Sequence, residues 1–162
     1  MIVLLVAMYN LLVLALAAGV WVSPGRKRTL RLTALMLGLF AILGAIGGGI
    51  FNMDMRGAES TPRGVLHPAM TAVMSIPIVL SLIFGAFLHG RRFGLLSLAT
   101  IVAAAVGGIL TAQDVPLLEA NLPTPWMGLK ERINIYPYML WVAALAISLW
   151  PRLRRQPVAS IT

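Results

Sequence analysis

The chain has no cysteine, which excludes disulfide bridges, thiolate metal sites and a thiol nucleophile. Acids are scarce as well, 5 Asp and Glu against 13 Lys and Arg. Only two histidines are present, His67 and His89, and 22 helical steps would hold them about 33 Å apart, too far for a shared metal. No His-Glu-x-x-His or Gly-x-Ser-x-Gly occurs, which leaves Ser75 and Ser81 as helix-packing hydroxyls. The triple glycine at 47–49 lacks the Lys-Ser/Thr of a phosphate loop. The residues therefore imply neither a metal nor a cofactor.

What remains is mostly apolar. Of 162 residues, 59% are hydrophobic and 11% charged, with a mean hydropathy of +0.90. That is more apolar surface than a soluble domain of this length can cover, so lipid is the expected solvent. A net charge of +8 raises nucleic acid as a partner. The basic residues, however, fall in short groups between uncharged runs of about twenty residues, as loops between membrane spans do, and no nucleic-acid binding is expected.

The uncharged runs predict an all-α, polytopic transmembrane bundle in a single domain with five spans at about 2–22, 31–51, 68–88, 93–112 and 133–150. Each falls within the roughly 17–25 residues of a membrane-spanning helix. Polar connections at 52–67 and 113–132 and a tail at 151–162 complete the chain. Small residues repeat along one face of the second run (Gly38, Ala41, Ala45, Gly48) and along two faces of the fourth (Ala99, Ala103, Gly107 and Thr100, Ala104, Gly108). Faces of this kind let helices approach closely, within the bundle or against a membrane-protein partner or second copy. Pro77 predicts a kink near Ser75, and the scattered methionines read as apolar filler.

Alternating the spans gathers Arg26, Lys27, Arg28, Arg31, Arg91, Arg92, Arg152, Arg154 and Arg155 at one surface with no acid among them. The other surface receives Asp54, Glu59, Asp114, Glu119 and Glu131 with four basic residues. The excess of arginine marks the first surface as cytoplasmic, so the N-terminus is expected outside and the C-terminus inside a cell membrane.

Chemistry requiring carboxylates then belongs to the outer face. Asp54, His67, Glu131 and Arg132 lie near outer span ends and are the candidate catalytic set, an acid and an imidazole able to exchange protons. The plainer alternative pairs Asp54 with Arg56 and Glu131 with Arg132 as rim anchors. Asn10, about mid-depth, is expected to bond another helix, or to serve with Arg56 and Trp126 in ligand binding. Trp126, Tyr136 and Tyr138 suit a membrane interface.

Three segments carry a family resemblance: Tyr9-Asn10-Leu11-Leu12-Val13-Leu14; Phe51-x-Met53-Asp54-x-Arg56-Gly57 with Thr61, Gly64 and His67; and Leu122-Pro123-Thr124-Pro125-Trp126-x-Gly128-Leu129-x-Glu131-Arg132-Ile133, followed by Leu140-Trp141. Together, across nearly the whole chain, they resemble the family called domain of unknown function 998, small prokaryotic multi-helix membrane proteins. The resemblance implies a six-helix bundle with both ends in the cytoplasm, relative to which this chain opens at the second helix, and Asn52 stands where proline is expected. It implies no activity. The leading expectation is a non-catalytic structural or accessory membrane component; a small carrier or lipid-binding module and a membrane-edge hydrolase or transferase are the alternatives.

Overall fold

The computed structural model of the chain describes residues 2–23, 28–55 and 57–154. Within these it is all helical: α1 (Ile2–Val22), α2 (Arg28–Ile50), α3 (Pro62–Gly85), α4 (Arg91–Ala112), the short α5 (Val115–Glu119) and α6 (Met127–Arg154). All but α5 are long and apolar enough to cross a membrane. Their surfaces are apolar on every side, with Leu12 68% and Ile147 74% exposed, as helices solvated by lipid require.

Two helices start about six residues before the expected spans. The third helix begins at Pro62 rather than about 68, so His67 and Pro68 lie inside it. Thr61 caps that helix, with proline just inside, and this start signal outranks the charge on Arg63. The last helix likewise begins at Met127, and the connection before it contains α5.

Successive long helices run antiparallel. Val6, Asn10 and Ala17 of α1 lie beside Gly48, Gly44 and Gly38 of α2. In the same way Met70 and Met74 of α3 meet Gly47, and Asn134 of α6 meets Gly107 of α4. All five acids therefore sit at one end of the bundle, here the acidic end, and Arg28, Arg31, Arg91 and Arg92 at the other, the arginine end. Arg26, Lys27, Arg56 and Arg155 lie outside the described residues. At the arginine end Arg31 lies 5.9 Å from the centre of the Trp21 ring, a cation–π contact across the α1–α2 junction.

Small residues do the helix pairing inside this chain. The α2 stripe packs on α1 through Gly38 and Gly48, and Gly107 faces α6. These close approaches hold the α1–α2, α2–α3 and α4–α6 pairs together, whereas α1 and α6 barely touch.

A seam of aromatic rings joins the pairs. Tyr9, Phe40, Tyr138, Trp141 and Phe93 follow one another at centroid spacings of 6.4, 5.2, 6.0 and 5.7 Å. Tyr138 was expected at a membrane interface, yet it is buried, and its hydroxyl lies 3.2 Å from Ser81 Oγ of α3. Since Ser81 donates to Ile78 O, the Tyr138 hydroxyl is the donor of that bond. Trp141 is fully buried and donates from Nε1 to Ser97 Oγ of α4 at 2.8 Å. The buried apolar residues lie near mid-depth or toward the arginine end, from Val13 and Val20 to Leu145 and Leu149.

Candidate functional site

The hairpin between α2 and α3 is closed by polar contacts. Asp54 accepts from the Thr61 backbone N–H at 2.8 Å and from the Thr61 hydroxyl at 2.7 Å. That same hydroxyl accepts from Gly64 N–H at 3.2 Å, capping α3. Gly64 is obligatory here, because a Cβ on it would collide with the Asp54 carboxylate. One turn on, His67 Nδ1 lies 2.7 Å from Phe51 O; the carbonyl can only accept, so Nδ1 carries the proton. Asp54 thus binds the start of α3, and His67 ties α3 to the end of α2.

The Thr61 backbone N–H, and after it the Thr61 hydroxyl, hold the Asp54 carboxyl below the usual carboxylate range. A depressed folded value stabilises the hairpin above the unfolded pKa, about 3.9. The contribution is lost as pH falls through the lower folded value. Limited proteolysis between Met55 and Ser60 should therefore accelerate below about pH 4 in the wild type. Asp54→Ala should be nicked faster at neutral pH and show no such acid step. Thr61→Ala should cost about 1 kcal/mol by loss of the cap.

At the second connection the ionic contact is one that sequence reasoning did not select. Lys130 Nζ lies 2.8 Å from both oxygens of Asp114, whose side chain is only 7% exposed. This is the ion pair among the described residues, and it ties the end of α4 to the start of α6 across α5. Asp114 lies two residues after α4 and Lys130 is in the first turn of α6, 16 residues on, so only the fold of α5 reveals the pairing. Lys130→Met should leave a buried carboxylate uncompensated and cost roughly 2 kcal/mol, less than a fully buried pair because Lys130 is partly wet. Adding Asp114→Asn should recover part of the loss, measured by thermal melting in detergent.

The other candidates take separate places. Arg132 Nη1 donates to Gly128 O at 2.9 Å, a bond within its own helix rather than to Glu131. Glu131 is exposed. Trp126 is 75% exposed with φ +65, a left-handed conformation costly for a bulky residue, and its carbonyl accepts from Leu129 and Lys130 N–H at the start of α6. The two connections meet where a Cβ on Gly57 (φ +78) would lie 4.0 Å from Asn121 Oδ1. Arg56, next to it, lies outside the described residues.

Asn10 is 5% exposed and bonds its own helix, not another: Nδ2 donates to Val6 O at 2.9 Å. Its Oδ1 has no hydrogen-bond partner and rests against Gly44, where a side chain would collide with it. Among the described residues no three His, Asp or Glu side chains gather as metal ligands do. Two shallow, open depressions lie on the surface, one on α6 beside Arg132 and Tyr136, the other at the turn between α3 and α4. Asp54, His67 and Glu131 line neither.

Residues 3–148 match the family model described as Protein of unknown function (DUF998). No curated protein and no solved structure matches the chain.

Proposed function

The chain belongs to the DUF998 family of proteins of unknown function, and from that premise we propose that it is a non-catalytic structural or accessory component of the cell membrane. The observation that carries this reading is the commitment to the fold of Asp54, His67, Arg132 and the Lys130–Asp114 pair, with Glu131 left exposed. Asp54 closes onto Thr61, His67 onto Phe51 O, Arg132 onto Gly128 O, and Lys130 onto Asp114. A hydrolase or transferase would need Asp54 and His67 within reach of one substrate proton, but each holds backbone instead. A carrier would need polar groups facing a path at mid-depth, whereas Asn10 turns back onto Val6 and packs on Gly44.

An accessory component has something to attach to, so a second copy or another membrane protein should co-elute when the chain is purified in mild detergent. A strictly monomeric preparation without a partner would overturn the reading. The excess of arginine at one end assigns that end to the cytoplasm in this proposal, with the N-terminus outside. Because the chain has no cysteine, Ser60→Cys and Arg92→Cys provide a clean check. A membrane-impermeant thiol reagent should label the first in intact cells and spare the second.

A further inference from the structure

A groove of about 480 Å³ lies on α4 beside the end of α3, at the arginine end of the bundle. Arg91, Gly94, Leu95 and Leu98 line one side, at the three- and four-residue steps that keep side chains on a single helix face. Ala86 and Phe87 line the other, with Phe87 70% exposed. The cation sits at the bundle end and the leucines run from it toward mid-depth. We propose that this groove holds an anionic phospholipid, with its phosphate on Arg91 and an acyl chain along Leu95 and Leu98.

Charge selects this occupant. Arg28, Arg31, Arg91 and Arg92 share this end, and the sequence places no Asp or Glu there, so the mouth of the groove lies in a field of one sign that favours a phosphate. Arg91 presents a planar fork of donors suited to phosphate oxygens. The depression on α6 at the acidic end makes a useful contrast. It too has one arginine above apolar residues, but Arg132 there is bonded to Gly128 O and has Glu131 beside it in the chain.

The test uses the full chain in a nonionic detergent, melted with increasing phosphatidylglycerol or with phosphatidylcholine of the same chain length. Phosphatidylglycerol should raise the melting temperature saturably and phosphatidylcholine should not. Arg91→Gln should need about tenfold more phosphatidylglycerol for the same rise, as loss of one charge-assisted contact predicts. Arg63→Gln, at the opposite end, should titrate like the wild type. Leu98→Trp, which fills the groove and leaves the charge in place, should also weaken the response. Equal stabilisation by both lipids, an unchanged titration for Arg91→Gln, or the same effect from inorganic phosphate alone would each overturn the assignment.

Discussion

Gly107→Ala should unfold the α4–α6 pair, lowering stability by about 3 kcal/mol or more, at the upper end of what overpacking costs. A Cβ at this position would lie 2.6 Å from Asn134 N and 2.9 Å from Asn134 Cα. These atoms belong to the α6 backbone, which cannot rotate aside as a side-chain tip can, so the helices must separate. Separation would break the close packing that replaces the hydrophobic effect between helices in lipid. The adjacent residue is the control. A Cβ on Gly108 would meet Asn134 Nδ2 at 3.7 Å, an ordinary contact. There the intrinsic gain of alanine over glycine in a helix, about 1 kcal/mol, should dominate. Gly108→Ala should thus be neutral or stabilising, and thermal melting of both variants in one detergent decides the matter. If the two melt alike, α4 and α6 do not pack in this register.

The contrast between those glycines shows where sequence reading stopped. The number and order of the long helices were legible because charges are too costly to bury in lipid, so uncharged runs delimit spans. The segregation of all five acids at one end followed from alternation, and the helices do alternate. Stripes of small residues announced close approach but did not say which helix would come. In α4, Gly107 and Gly108 belong to different stripes, and only Gly107 touches the α6 backbone. The start of α3 could have been read from Thr61-Pro62, a cap followed by an N1 proline. The polar run through His67 sets the expected span at Pro68, six residues inside the helix that Thr61-Pro62 starts. The candidate residues were legible as polar groups at the bundle end, and their partners were not. Hydrogen bonds such as His67 to Phe51 O and the Lys130–Asp114 pair depend on how a connection folds back, which no local periodicity encodes.

The aromatic seam supports the other large effect, a coupled loss at Gly85 and Trp141. Trp141 is fully buried, and a Cβ on Gly85 would run into its six-membered ring. The ring is held by stacking on Tyr138 at 6.0 Å, by Phe93 at 5.7 Å and by the bond to Ser97. With no exposed side to move into, it should make Gly85→Ala cost about 2 kcal/mol. Trp141→Ala should cost about 3–4 kcal/mol. Much of the transfer term disappears in a lipid reference state, but the cavity and the lost contacts remain. Trp141→Phe should cost less, since the Ser97 hydroxyl still donates to Phe93 O when the indole is gone. The double variant Gly85→Ala with Trp141→Ala should be less destabilised than the sum of the singles, by roughly 1–3 kcal/mol, because the new methyl enters the space the indole vacates. Additivity within about 0.5 kcal/mol would mean that α3 and α6 do not meet through this pair. The tie between the first three helices and the α4–α6 pair would then fall to contacts such as Phe40 with Tyr138, Ser81 with Tyr138 and Ser148 with His89.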